Sequence, residues 1–464
     1  MKIAVLALLI YLGACLVLSS QDPPVSFSPE AIRATNPSLP VGFLLGTATA
    51  AYQIEGDNPN CDWASFERQK GRIERGERNG RASDGWNRVG GDIALMHDLG
   101  ANAYRFSLEW SRLEPRRGVW DEKAWAHYQD ELSRLRAAGI TPMVTLLHFT
   151  MPQWLEGGAT APEFPERFGR FAAEAARRLA PSLPETSLWC TLNEPNVQML
   201  AGYYDGIWPP GQHEPAQALK ALAGLARAHA LASRALRDAI PGVRVGIAIN
   251  LVLIEPYSRW SLLDWKASQI ASDAYNWALC DSFKTGRLVL KLPGWPVLDE
   301  AIPGLAGSVD YFGMNYYFRC LIRFSPGSPG MFERITGPGP RTDLDWEIYP
   351  EGLLRLLRAA WKRYELPIYI TENGIAEASG QHRPDFIQAH LYAVTRALAE
   401  GIPVKGFFYW SLLDNFEWAE GFRPRFGLYR VDYKTFERTE APGCETFRAW
   451  AKALKPRQGP TPAC

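Results

Sequence analysis

The chain has 464 residues, 50 Lys and Arg against 50 Asp and Glu, 47% hydrophobic residues and 17 Trp. Length and apolar content suffice for one large domain or several ordinary ones, and the aromatic share with zero net charge excludes general disorder. No basic surplus exists for tracking phosphates, so nucleic acid is not an expected partner, and the Trp surplus reads either as core material or as stacking surface for a ligand.

Met1-Lys2 precedes an apolar run from Ile3 to Leu18, short for a membrane span and placed where a signal peptide belongs. Residues 1–20 are expected to be a signal peptide cleaved after Ser19 or Ser20, and the product to be exported, either secreted or periplasmic. Leu12-Gly13-Ala14-Cys15 is also similar to a bacterial lipoprotein box. That would end the signal before Cys15 and tether the protein to a membrane through this lipidated residue; the other reading makes Cys15 a small apolar residue of the hydrophobic segment. Residues 21–40 form a polar, Pro-containing lead-in, 41–455 one domain, and 456–464 a C-terminal tail. Cys61, Cys190, Cys280, Cys320, Cys444 and Cys464 show neither a C-x-x-C nor a paired His spacing, which argues against zinc. They are too scattered for a dense disulfide framework.

From Val41 onward, short apolar runs alternate with amphipathic stretches. The expected strands are Phe43–Thr47, Ala103–Ser107, Met143–His148, Leu188–Asn193, Val243–Asn250, Tyr311–Tyr316, Ile368–Glu372 and Gly406–Ser411. They are mostly continuous apolar runs, as strands buried on both faces of a parallel sheet read. Helical spacing fills Trp86–Leu99, Glu122–Ala138, Glu166–Leu179, Pro215–Ala239, Glu351–Tyr364, Pro384–Ala399 and Glu445–Leu454, and Gly or Pro follows several of them. Eight buried strands alternating with helices predict a single-domain (β/α)8 TIM barrel with extended loops. A doubly wound sheet is the alternative, but no Gly-rich phosphate turn follows the first strand. Ser325–Pro340, rich in Gly and Pro, reads as a mobile loop.

Active sites of such barrels lie at the C-terminal strand ends. Two expected strands finish in carboxylates, the fourth at Glu194 and the seventh at Glu372. A Glu ending an apolar strand is costly to desolvate unless it is paired, hydrogen-bonded or used. Paired carboxylates with no nucleophilic Ser elbow, no metal cluster and no cofactor loop point to acid/base chemistry on glycosidic bonds, with no metal or cofactor expected. A separation of about 5–5.5 Å would give retention and about 6.5–9.5 Å inversion.

These residues carry a family resemblance. Thr191-Leu192-Asn193-Glu194-Pro195 and Ile370-Thr371-Glu372-Asn373-Gly374 resemble the acid/base and nucleophile motifs of family-1 glycoside hydrolases, the β-glucosidase family. The blocks Phe43 to Gly56, Tyr104 to Arg112 and Tyr409 to Trp418 are similar to others in that family's order, and coverage runs from about Pro40 to Leu454. The resemblance implies a retaining enzyme with Glu372 as nucleophile and Glu194 as acid/base. It implies Arg105 and Tyr317 as support for the nucleophile, where a cation and a donor would lower the carboxyl pKa. Gln53, His148, Asn193, Glu417 and Trp418 match its sugar-binding positions, Asn315 and Trp410 its site wall, and Trp346 its aglycone platform.

Glu417 stands where members acting on 6-phosphorylated sugars have Ser, and a carboxylate there would repel phosphate. The expected substrate is a small unphosphorylated β-glycoside or short oligosaccharide, cleaved from its nonreducing end, with glucose favoured and galactose or fucose tolerated. Arg423 and Arg425 are taken as structural or rim groups. Two departures from the family pattern stand out: Phe149-Thr150 replaces the common Trp-Asp after His148, and the signal segment is unusual among bacterial relatives. The alternatives are a transglycosylase using the same residues, and a catalytically silent carbohydrate-binding relative, against which both carboxylates argue.

Overall fold

The structure is a computed structural model that describes residues 2–21, 24–184 and 187–454. Eight strands form its centre: β1 (Leu44–Ala48), β2 (Ala103–Ser107), β3 (Thr141–Leu147), β4 (Leu188–Asn193), β5 (Arg244–Pro256), β6 (Tyr311–Phe324), β7 (Ile368–Asn373) and β8 (Val404–Trp410). Each pairs in parallel with its neighbours in chain order, and β1 pairs with both β2 and β8, which closes the barrel. Every residue of β1, β2, β3, β4 and β7 is buried, as their unbroken apolar runs require once one face fills the lumen and the other meets helices. Close strand contact selects Gly46, where a Cβ would stand 2.3 Å from the Ala103 carbonyl oxygen.

The surrounding helices start and stop where local chemistry demands. The Asp121 carboxylate accepts the Lys123 and Ala124 N–H groups to cap Glu122–Ala137, and Gly139, at φ 72°, turns the chain into β3. Pro215–Ala239 begins on a Pro at its first position.

The eight observed strands are the eight expected, but β5 and β6 run six and eight residues past their expected ends at Asn250 and Tyr316. This corrects the reading of Ser325–Pro340 as a loop: within it, Phe332–Thr336 is a strand paired antiparallel with the β6 extension, Cys320 opposite Thr336 and Phe324 opposite Phe332. Helices Pro195–Tyr203, Leu262–Ser272 and Ala278–Thr285 add elements for which the sequence gives no expectation above.

The lead-in is docked on the barrel. Its helix Pro29–Ala34 is capped by Ser28, Gln388 donates to the Ile32 carbonyl at 2.9 Å, and the Phe27 ring meets Tyr392 edge-on at 4.9 Å. The apolar run Ile3 to Leu18 lies in helix Lys2–Gln21, and the Tyr11 hydroxyl donates to the Trp260 carbonyl at 2.9 Å. Among the described residues, Cys15, Cys61, Cys190, Cys280, Cys320 and Cys444 are free thiols, and Cys15 is buried. Cys464 and the tail 456–464 lie outside the described residues.

Candidate active site

Arg105, in the middle of β2 and buried, joins four strands with one guanidinium. It pairs with Glu372 Oε1, donates to the Thr371 carbonyl at 3.3 Å and to Asn193 Oδ1 at 2.7 Å, and donates through Nε to Thr145 Oγ1 at 3.1 Å. A planar fork of N–H donors suits this spread of acceptors where an ammonium would not. Tyr317, on β6, donates to the other Glu372 oxygen at 2.6 Å. Burial nevertheless pushes the Glu372 carboxyl above the usual range, with Arg105 and Tyr317 pulling it back. The expected direction of those two groups is observed, but burial outweighs them.

Glu194 immediately follows β4 and adopts a left-handed backbone, φ 44° and ψ 57°, ahead of Pro195 and the helix it opens. Such a conformation in a non-glycine persists only where the surroundings over-determine it; here the Glu194 N–H donates to the Ala248 carbonyl of β5 at 2.8 Å. Its Oε1 accepts from Asn315 Nδ2 at 2.7 Å and from Asn250 Nδ2 at 2.9 Å. Burial, followed by the negative charge of Glu372, pushes the Glu194 carboxyl up to about 8. The two carboxyls thus differ in kind: one is paired with a cation, the other held by neutral amides.

Amides join them. Asn193 Oδ1 accepts from Arg105 and, at 3.1 Å, from Asn315 Nδ2, while Thr371 Oγ1 donates to Asn315 Oδ1 at 2.6 Å. With its oxygen so engaged, Asn193 presents Nδ2 to His148 Nε2 at 3.0 Å. His148 is kept neutral by burial and by the Arg105 charge. Its ring is near-parallel to Trp410, centroids 5.7 Å apart, and to Trp418, at 6.1 Å.

Gln53 stands just after β1, and its Nε2 reaches Asn415 Oδ1 at 2.9 Å, the Phe416 carbonyl at 3.0 Å and Glu417 Oε2 at 3.0 Å. Burial, then the charges of Glu420 and Glu372, drive the Glu417 carboxyl well above its ordinary value. Gln53 Oε1 and His148 Nδ1 are buried without a hydrogen-bond partner among the described residues, atoms that a ligand hydroxyl would satisfy. Trp418 packs into an aromatic cluster with Tyr52, Trp63, Phe149 and Trp208, so its indole is also core material. The replacement Phe149 belongs to that cluster.

Trp346 is half-buried, stacked on Phe318 at 5.2 Å and tilted against Tyr317 at 5.4 Å. The buried Glu347 beside it takes both Arg319 forks at 2.7 Å and the Gly339 N–H at 2.8 Å, which anchors its loop to β6. Arg423 pairs with Glu74 and Arg425 with Asp414, the structural use expected of them.

All twelve residues singled out from sequence fall within this one assembly, on the strands or in the segments that follow them. Asn250 and Thr371 also belong to it and were not singled out. Asn250 carried a weaker form of the Glu194 signal, an uncharged polar residue closing an expected strand.

The profile of glycosyl hydrolase family 1 matches residues 35–453. β-Glucosidase A of Thermotoga maritima is 34% identical over 426 residues, covering 86% of this chain and 94% of that protein. Among solved structures, a Thermotoga maritima family 1 glycoside hydrolase complexed with a cyclophellitol analogue transition state mimic superposes with TM-score 0.85 at 32% identity, covering 90% of this chain and 99% of that one. A β-glycosidase from Pyrococcus horikoshii gives 0.82 at 37% identity, covering 91% and 97%. Profile, relatives and fold agree over nearly the whole length: this chain belongs to glycosyl hydrolase family 1 and is a β-glycosidase.

Proposed function

We propose that the protein is a retaining exo-β-glycosidase, in the first place a β-glucosidase, that releases terminal unphosphorylated β-D-glucosyl residues by double displacement. The observation that carries this reading is the contrast between the two buried carboxyls. Glu372, held by Arg105 and Tyr317, is the one suited to ionise and attack the anomeric carbon. Glu194, pushed up to about 8 and held by amides, is suited to arrive protonated, assist departure of the aglycone and then take a proton from water. Gln53, His148, Asn193, Asn315, Trp410, Glu417 and Trp418 then read the sugar, with Glu417 disfavouring a phosphate, and Trp346 covers the aglycone. The name of the Thermotoga maritima relative supports glucose as the leading sugar. Export through the N-terminal segment belongs to the same reading and makes external glycosides the substrates.

The test is a panel of aryl β-D-glycosides assayed with wild type and with Glu372→Ala in azide. The expected result is an inactive variant rescued by azide with formation of an α-glycosyl azide. Full activity of the variant without azide, or release of the inverted α-sugar as the first product of the wild type, overturns the assignment.

A further inference from the structure

The acid/base candidate Glu194 rests on a second layer that begins at Tyr275. This residue lies in a π-helical turn, Asp273–Trp277, between helices Leu262–Ser272 and Ala278–Thr285. Inserted turns of this kind are rare and recur at functional sites. This one is clamped to β5: the Asn276 side chain accepts the Val252 N–H at 3.0 Å and donates to the Val252 carbonyl at 2.9 Å, and Asn196 Nδ2 bridges the Asn250 carbonyl at 2.8 Å and the Tyr275 carbonyl at 3.3 Å. The clamp brings the Tyr275 hydroxyl to Asn250 Oδ1 at 2.7 Å.

We propose that Tyr275 is a positioning residue for Glu194: by donating to Asn250 Oδ1 it turns the amide so that Nδ2 faces Glu194 Oε1, which confines the transferable proton of Glu194 to Oε2. An amide oxygen accepts and its nitrogen donates, so occupying the oxygen decides what the neighbouring carboxyl meets. Thr371 does the same for Asn315, and both amides therefore donate to the same atom. An oxygen accepting two N–H bonds is the poorer seat for a proton, and among the described residues no hydrogen bond reaches Oε2. Resting on the acid/base reading of Glu194, the step is a displacement at the anomeric carbon. The Oε2 proton passes to the glycosidic oxygen as the bond from that oxygen to the anomeric carbon breaks, and a Glu372 oxygen forms the new bond to that carbon.

Without the hydroxyl, the Asn250 amide is free to turn. Its oxygen then faces Oε1, an arrangement tolerable only when Glu194 carries the proton there. Loss of a donor to the carboxylate favours the protonated form. Among the described residues, the other charged and titratable groups that act on this cluster are Glu372, Arg105, Tyr317 and Glu417 from the barrel, and Arg334, Cys320 and Asp205 on the Tyr275 side. None of them is altered by Tyr275→Phe.

The experiment compares wild type, Tyr275→Phe, Asn250→Ala, the double variant and Glu194→Gln on alkyl and dinitrophenyl β-glucosides across pH, with thermal melts recorded alongside. Tyr275→Phe is expected to cost the alkyl glucoside roughly tenfold or more in kcat/KM while sparing the activated aryl glucoside, the size of one hydrogen bond to a charged group. The alkaline limb of kcat/KM is expected to move to higher pH, and Tyr275→Phe is expected to add nothing in the Asn250→Ala background. Equal losses on both substrates, an unmoved limb, or a full effect in the Asn250→Ala background overturn the inference. If Glu194→Gln itself shows no leaving-group dependence, the acid/base reading falls and takes this inference with it; if it does and Tyr275→Phe does not, the inference alone falls.

Discussion

Replacing Arg105 by Gln removes the one cation in contact with Glu372 among the described residues while keeping amide donors for Asn193 and Thr145. The guanidinium is buried and bonded to Glu372, Asn193, Thr145 and the Thr371 carbonyl, so the carboxylate left behind would keep only neutral donors, chiefly Tyr317. Breaking a buried pair from one side costs about 3–5 kcal/mol when the remaining charge stays ionised. Glu372 has an escape, which is to hold its proton, and burial already pushes it that way. Above the pH where the wild-type carboxyl ionises, the folded variant therefore binds one more proton than the folded wild type. By linkage, its stability deficit grows as pH rises, at up to about 1.4 kcal/mol per pH unit, over roughly two to four units before the full cost is reached. Equilibrium denaturation of both proteins at stepped pH, followed by Trp fluorescence, reads this slope directly. The acid limb of kcat/KM should move upward with it, and Arg105→Gln/Glu372→Gln should recover the lost stability and lose the slope. A deficit that stays constant with pH, or a double variant with the slope of the single one, would refute the account of this pair.

Because the Glu194 carboxyl is pushed up to about 8, kcat/KM should fall on the alkaline side near that pH as the acid loses its proton, and Glu194→Gln should abolish that limb. Glu417→Gln should lower kcat/KM on aryl glucosides by roughly tenfold, the worth of one hydrogen bond. The same change should stabilise the fold increasingly as pH rises: the native Glu417 carboxyl is raised above its unfolded value, so wild type loses stability with pH through that interval. Gly374→Ala should destabilise by about 3 kcal/mol or more, since a Cβ there would stand 1.7 Å from the Trp410 carbonyl oxygen and neither backbone can give way; melts close to wild type would count against so close an approach of β7 and β8.

The barrel was legible because each strand is an apolar run with punctuation on either side. Helix Pro215–Ala239 was legible at both ends for the same reason, a Pro opening it and Pro241-Gly242 following it. The hairpin strand Phe332–Thr336 was not, because its residues are mostly exposed or half-buried and flanked by Gly and Pro; only the continuation of β6 beyond the barrel gives it a partner. Glu194 and Glu372 stood out as charges ending apolar runs. Asn250 ends one too, but an uncharged amide costs less to bury and so signals less. Tyr275 had no signal at all: it sits in a stretch of helical composition, and what matters about it is one extra residue in a turn and a contact with a residue 25 positions earlier.

The bond from Arg105 to Asn193 also settles where a hydrogen atom sits several ångströms away. A guanidinium can only donate, so Asn193 Oδ1 must accept, its Nδ2 must donate in turn, and His148 Nε2 must be the bare nitrogen of its ring. The ring proton is therefore on Nδ1, the buried atom with no partner among the described residues. The floor of the site is in this sense a polarised circuit: Arg105 and Asn315 both donate to Asn193 Oδ1, and the tautomer of His148 follows from those two bonds.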